Sequence, residues 1–562
     1  MFIVKSMRYL KLIAILFVLG GVVVPRNASA QEQKHVEVTT IYTPEVESVK
    51  KLDVPASVAE GADIEPEINY NVTPETWQIK LQDHNFKPAK ASYWDFSRAE
   101  HCYTRLASGY PLISDAELRY MIQNVRVGYL GVGVDHKGRF SPRRNGVGVE
   151  RSIADSYDMQ NRAYFHGGAV AGKRMFESSL DYNFDIYNRY AVVESPSRLY
   201  FNDANLAMRF GDNFSNLSRM NFNIELHGGY WSHVPPMAAE DGAIPEFSAG
   251  ASLQLKRDFK GNVVGFGAEY DMWQSTASSY RDIRFGADVE YARDFGVIAV
   301  DASIGYLYDK VRNRDEASHF IPASLRLDFN VGLEALRPYI DAGTTVSQNG
   351  VAQLYRANPY LDYDYSQATL LEMPNTRSYN ISGGFTGKVF ASRLTYRAYV
   401  GVSFLRDQVL WYINRVGCFG VAATDNSRLA FGAEVDYRPV GGLSIGAMFY
   451  AHLDNTKSDY AISDARMRGS FDIKYNIKRW QFYLSGDLTG RRSWSAITAE
   501  GIDKEAYVTP VTFDLGVGIS CRVTRKIEVF VDGYNLLNQN IANYAYYERN
   551  GIGCMAGVKI DF

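Results

Sequence analysis

The feature that most constrains this chain is an alternation of apolar and polar residues, sustained over stretches longer than an ordinary strand. In "TFDLGVGISCR", Phe513, Leu515, Val517, Ile519 and Cys521 fall on one face; Thr512, Asp514, Gly516, Gly518, Ser520 and Arg522 fall on the other. "GVIAVDASIGYLYD" sets Ile298, Val300, Ala302, Ile304, Tyr306 and Tyr308 against Ala299, Asp301, Ser303, Gly305 and Asp309. "VGFGAEYDM", "LAFGAEVDYR" and "LSIGAMFYAH" repeat the pattern. A period of two identifies strands, because side chains on a helix share a face only every three or four positions.

Two architectures produce such strands. A soluble sandwich buries one face and wets the other, whereas a membrane barrel turns the apolar face to lipid and the polar face to its lumen. Three observations favour the barrel. The strands often exceed ten residues, against about five or six in soluble folds. Their polar faces carry Gly, Ser, Asp and Glu in place of a lysine-rich soluble surface. Aromatics crowd the strand ends, as in "DIYNRY", "YLYD" and "MFYAH", where interfacial girdles belong.

Connection lengths give an independent signal. Minimal turns at 172–174, 259–262, 294–296, 390–392, 439–442, 477–479 and 524–526 interleave with long connections near 136–160, 231–244, 346–378, 491–506 and 536–551. Short periplasmic turns and long external loops have this asymmetry. The expected fold class is therefore all-β: a transmembrane antiparallel up-and-down barrel of about 22 strands (20–22) in the cell outer membrane. It is expected to occupy residues 98–562, behind a short extended segment at 31–97.

Residues 1–30 read as a signal peptide: Lys5, Arg8 and Lys11 precede the apolar run Leu12–Val24, and Ala28-Ser29-Ala30 has the small-x-small form of a cleavage site. Pro44, Pro55, Pro66, Pro74 and Pro88 punctuate 31–97 among acidic residues, so no compact sheet domain is expected there. A lumen of this girth is normally filled. The segment is expected to pack in or beneath it, with Trp77 and Trp94 as anchors.

A formal net charge of −3 argues against nucleic-acid binding. The four cysteines, Cys102, Cys418, Cys521 and Cys554, are spaced for neither a disulfide framework nor a zinc site. None of the nine histidines has short metal-ligand spacing, and no Gly-x-Ser-x-Gly elbow or phosphate-binding glycine loop occurs. No catalytic residue, cofactor or metal is therefore expected, and the chain is not read as an enzyme. Glycine pairs such as Gly516/Gly518 lie inside strands, where they relieve crowding on the lumen side or allow bends.

The closing stretch, "VFVDGYNLLNQNIANYAYYERNGIGCMAGVKIDF", resembles the end of TonB-dependent receptor barrels, where an Asn-Leu-hydrophobic-Asn segment precedes a tyrosine-rich loop and the last strand. Residues 358–405 are similar to the mid-barrel loop-to-hairpin pattern of the same family, and the lead-in "VEVTTIYTPEVESVKKLDVPASVAEGADIEPEINYNVTP" to that of a plug-less group within it. The resemblance implies a receptor-like barrel without a full plug, and it leaves open whether TonB energises it. In the last strand, Met555, Gly557, Lys559 and Asp561 are expected to face inward, and Ala556, Val558, Ile560 and Phe562 to face lipid. An aromatic residue at Phe562 resembles the signal by which the barrel-insertion machinery recognises its clients.

Two loops carry candidate ligand residues. One concentrates Lys137, Arg139, Arg143, Arg144 and Arg151, suited to an anionic ligand or to lipopolysaccharide phosphates. The other holds Tyr355, Tyr360, Tyr363 and Tyr365 beside Asp362 and Asp364, suited to stacking on sugars and bonding their hydroxyls. Either set also reads as solvated or packing residues of a loop. The function expected is passage of a solute or polymer across the outer membrane, passive or partner-gated. The alternative is a non-transporting barrel that anchors or scaffolds an envelope assembly. Partners expected are outer-membrane lipid and lipopolysaccharide, the insertion machinery, and a periplasmic protein reached through residues 31–97.

Overall fold

The computed structural model describes residues 102–562, apart from 125–126, 142, 145–152, 155, 193–196, 235–243, 276–280, 312–313, 315, 363–369, 371 and 550. The leader and the 31–97 segment, with Trp77 and Trp94, lie outside the described residues. From Cys102 to Asp561 the chain winds into a closed antiparallel barrel of 22 strands.

In chain order the first half comprises β1 (Cys102–Tyr110), β2 (Ile113–Asn124), β3 (Gly128–Arg139), β4 (Asp158–Ala171), β5 (Arg174–Asn188), β6 (Arg198–Gly211), β7 (Asn221–Val234), β8 (Ile244–Phe259), β9 (Asn262–Ser275), β10 (Arg281–Asp294) and β11 (Ile298–Lys310). The second half comprises β12 (Ala323–Phe329), β13 (Arg337–Ser347), β14 (Thr376–Val389), β15 (Leu394–Arg415), β16 (Cys418–Tyr437), β17 (Leu443–Thr456), β18 (Met467–Ile477), β19 (Trp480–Thr489), β20 (Thr512–Arg522), β21 (Ile527–Tyr534) and β22 (Gly553–Asp561). Each pairs with the next, and β22 returns to β1 in register from Tyr103↔Asp561 to Tyr110↔Cys554. The ring of 22 strands is thus closed, so its ladder satisfies its own backbone groups as a bilayer requires.

Connections segregate by end. Turns at 172–173, 260–261, 295–297, 390–393, 438–442, 478–479 and 523–526 share one end with Cys102 and Phe562, whose N–H donates to the Cys102 carbonyl at 2.8 Å. The long connections, 140–157, 348–375, 490–511 and 535–552, all lie at the other end.

The two faces follow the alternation. Leu130, Val132 and Val134 on β3, Phe266 and Tyr270 on β9, Phe285 and Val289 on β10, and Val529 and Val531 on β21 stand exposed on the outside. Toward the long-loop end this belt turns polar: the Ser114 hydroxyl and the Asn161 side chain bracket His136 at 2.8 Å on each side. Among the described residues no helix is long and apolar enough to cross a membrane; the strands do the spanning. A closed, lipid-belted barrel of this kind is an outer-membrane structure.

The β22–β1 seam is fastened from the lumen side. The Phe530 ring lies between the Arg105 guanidinium (4.9 Å) and the Lys559 ammonium (5.2 Å). Those cations are held by Asp115 (2.7 Å) and Glu528 (2.9 Å). Gly557 leaves room for the ring, since a Cβ there would sit 2.6 Å from Phe530 Cζ.

The buried apolar cluster sits at the outer mouth of the barrel. Tyr190, Phe201, Trp231, Leu354, Tyr355, Tyr360, Leu361, Ile413, Phe419, Trp494 and Tyr547 form one cluster, drawn from the connections at this end and from the upper ends of β6, β7, β15 and β16. Strand spacing of about 4.8 Å and tilt of about 40° give a barrel about 40 Å across. Ala191 and Val192, just after β5, meet the β15–β16 tip nearly opposite them. At that tip Gly417 has φ +74°, and a Cβ there would lie 3.0 Å from Ala191 Cβ. The loops thus bridge the mouth and tie into a cap.

Candidate functional site

The cap is organised by a short helix, α1 (Val351–Ala357), inside the 348–375 loop. Its apolar residues Val351, Ala352, Leu354 and Tyr355 recur at helical spacing and are all buried. Tyr355 packs on inward aromatics at the upper ends of β6 and β7: Phe201 (6.0 Å between centroids), Trp231 (5.5 Å) and His233 (4.7 Å). Arg356 reaches Asp203 on β6 at 2.8 Å. The loop's two ends are clasped by Asn349, which donates to the Pro374 carbonyl at 2.6 Å, while Asn375 donates to both oxygens of Asp309.

Beyond α1 the chain presents Tyr360, whose ring stacks on Tyr547 at 3.6 Å and meets Tyr544 edge-on at 5.4 Å. Hydrogen bonds between distant loops hold this tyrosine wall. Tyr547 donates to the Gly417 carbonyl (2.6 Å), Tyr190 to the Glu548 carbonyl (2.6 Å), and Tyr544 to the Ala357 carbonyl (2.8 Å). Arg189 donates to the Leu361 carbonyl at 2.7 Å. Burial pushes the phenols of Tyr360 and Tyr547 well above the usual tyrosine pKa, so both stay neutral.

Against this wall opens a cavity of about 490 Å³. Lys137 and Arg139 line it from the inward face of β3; Arg143, Arg356 and Arg549 line it from the loops; Tyr187, Tyr360, Tyr534 and Tyr544 supply aromatic surface. Asp115, Asp158 and Glu548 border it. Asp115 holds Arg105 at 2.7 Å, and Asp158 holds Arg143 at 2.5 Å. Burial opposes the charge on Arg143, but Asp158 outweighs it and keeps the guanidinium's pKa above the ordinary value. Arg549 makes a long contact to Asp514, 3.8 Å. Among the described residues Lys137 and Arg139 make no ion pair, and both are exposed to the cavity. The arrangement offers uncompensated cations facing a wall of neutral aromatic rings. An anionic solute with planar or ring groups matches it.

The structure brings Lys137 and Arg139, which the sequence placed in a loop but which end strand β3, together with Arg143 and Tyr360 from two loops far apart in sequence, to one cavity. It does not bring Tyr355 there, because that ring is spent on the barrel wall. Asp362 turns aside to Arg415 (2.8 Å) and Asn414 (3.0 Å). The side chain of Arg144, and Arg151, Tyr363, Asp364 and Tyr365 entirely, lie outside the described residues. Arg356 and Arg549 join the cavity without having been expected from the sequence. The first was legible as the polar position of the α1 stripe; the second carried no local signal.

No protein-family model matches the chain, and no curated protein matches it either. Among solved structures it is similar to the copper transporter OprC, at 13% identity over 83% of this chain and 82% of that one, with a TM-score of 0.62. It is similar to the FrpB iron transporter from Neisseria meningitidis at 10% identity, over 83% and 82% of the chains, with a TM-score of 0.64. The ferric-catecholate import receptor Fiu from E. coli K12 aligns at 8% identity, over 83% and 82%, with a TM-score of 0.60. Likeness at these identities speaks for the fold, which is the barrel of TonB-dependent receptors that the closing stretch resembles.

Proposed function

We propose that this outer-membrane barrel, built on the TonB-dependent receptor fold, captures an anionic small solute in its outer vestibule and passes it inward through the lumen. One observation carries the reading: Lys137 and Arg139 stand without an ion-pair partner among the described residues, in a tyrosine-walled cavity at the outer mouth. A buried or half-enclosed cation without a counter-ion is electrostatically costly, and a bound anion relieves that cost. The cavity volume of about 490 Å³ suits a small ligand better than a polymer. Structurally similar proteins described as copper, iron and ferric-catecholate transporters support metal chelates as the solute class.

The test is calorimetric titration of the purified full chain with two chelates of similar size, an anionic ferric tris-catecholate and a charge-neutral ferric tris-hydroxamate. The anionic chelate is expected to bind more tightly. Lys137→Gln with Arg139→Gln is expected to weaken it about tenfold to a hundredfold, since charge-assisted hydrogen bonds contribute about 1.5–3 kcal/mol. Equal affinity for both chelates, or an unchanged double variant, would contradict the proposal.

A further inference from the structure

The short-turn end of the barrel is strongly charged along one arc. The turns at 390–393, 438–442, 478–479 and 523–526 hold Arg393, Arg438, Lys478, Arg479, Arg525 and Lys526, and no acid. All six are exposed, and among the described residues none of them makes an ion pair. Elsewhere on the rim, each turn from β6 to β13 carries an acid as well as a cation: Asp212 and Arg219, Asp258 and Lys260, Asp294 and Arg293, Glu334 and Arg337. The four basic turns follow one another at this end and are joined through backbone. The Arg438 N–H donates to the Arg393 carbonyl, that of Asn476 to Gly442, and that of Arg522 to Arg479, each at 2.8 Å. They form one continuous lip, whose like charges are held close and repel one another.

We propose that this lip is a docking surface for an acidic segment of a periplasmic protein. Neighbouring turns at this end are two strands apart, so strand spacing of about 4.8 Å and tilt of about 40° set them about 12 Å from one another. The four turns then lay out their cations along roughly 36 Å. A small anion reaches one turn, whereas an extended chain rising about 3.3 Å per residue follows all four with about eleven residues. Carboxylates spaced along such a chain match the guanidiniums and ammoniums in charge and in hydrogen bonding. The missing acids select a polypeptide over lipid: a bilayer surrounds the whole rim alike, but the uncompensated charge occupies one arc. The lip lies at the end opposite the vestibule and is independent of what is transported.

The experiment is fluorescence anisotropy on the full chain in phosphatidylcholine nanodiscs. The probe is a labelled peptide of about twelve residues alternating Glu and Ser, long enough to follow the lip, with a Gln-for-Glu peptide as control. The wild type is expected to bind the acidic peptide, more weakly as salt rises, and to leave the Gln peptide free. Lys478→Gln/Arg479→Gln/Arg525→Gln/Lys526→Gln is expected to bind the acidic peptide at least about tenfold more weakly. Lys173→Gln/Lys260→Gln/Arg293→Gln/Arg337→Gln, which removes as many charges from the rest of the rim, is expected to bind it as the wild type does. Equal losses in the two variants, or equal binding of the two peptides to the wild type, would overturn the docking surface. So would nanodiscs of phosphatidylglycerol that abolish peptide binding, since the lip would then belong to lipid headgroups. Should the first variant not fold, Arg525→Gln/Lys526→Gln alone is expected to weaken binding about threefold, and unchanged affinity contradicts the proposal.

Discussion

Tyr360 and Tyr547 show how single residues at the mouth are governed by partners far along the chain. Their stacked rings are buried, and burial raises both phenol pKa values above the ordinary 10.0. The folded cap therefore keeps protons that an opened cap would release as pH climbs past 10, so its stability holds below that value and declines above it. Ultraviolet titration of phenolate is expected to find two tyrosines still protonated where exposed ones have ionised. Simultaneous ionisation of all tyrosines in the folded protein would refute the buried stack. A Gly417→Val change is expected to disturb the same cap, because φ +74° at that position disfavours a β-branched side chain and the new atoms would press on Ala191. Residue identity alone could locate Lys137, Arg139, Arg143 and Tyr360 in charged or tyrosine-rich stretches. It could not tell Tyr360, which lines the cavity, from Tyr355, which turns away into the wall. That difference lies in contacts such as Tyr190 to Glu548, 358 positions apart, which leave no local pattern.

At the scale of elements, strands were readable and the cap was not. A strand between lipid and lumen must alternate, so "TFDLGVGISCR" announces itself; β20 spans Thr512–Arg522 as the pattern implies. Helix α1 had a signal too, in Val351, Ala352, Leu354 and Tyr355, but seven residues are short for a periodic argument inside a loop. Its stability is tertiary, from the aromatic surface of β6 and β7. Tyr355→Ala is expected to cost about 3–5 kcal/mol of local stability, seen as faster amide exchange across Val351–Ala357 with the barrel strands unchanged. Exchange unaffected in α1 would mean the helix is held elsewhere. The seam between β22 and β1 makes a second test. Gly557→Leu would force Phe530 from between Arg105 and Lys559, and the folded, fast-migrating form is expected to melt at a lower temperature than in wild type.

For the whole molecule, closure and the lipid belt are the organising facts. Turn lengths disclosed the strand count because a barrel must return its chain to the same end after every pair of strands, while external loops are free to lengthen. The bridging of a mouth about 40 Å wide was invisible in sequence, since it depends on which loops stand opposite one another in a closed ring. An arginine at the belt's middle carries a penalty of about 2–4 kcal/mol, so Val132→Arg is expected to impair insertion. Gly131→Ser, on the lumen face, is expected to be tolerated better, because the nearest atom to a new Cβ there is the flexible Met121 Cε at 3.4 Å. The most direct test of the lipid-dissolved cylinder is a spin-label scan along β3 from Tyr129 to Arg139 in reconstituted membranes, read with a lipid-soluble and a water-soluble relaxing agent. The lipid-soluble agent should peak at 130, 132 and 134, and the water-soluble agent at 131, 133, 135 and 137, in strict antiphase. A flat profile, or one with the phases exchanged, would contradict the barrel and the transport reading with it.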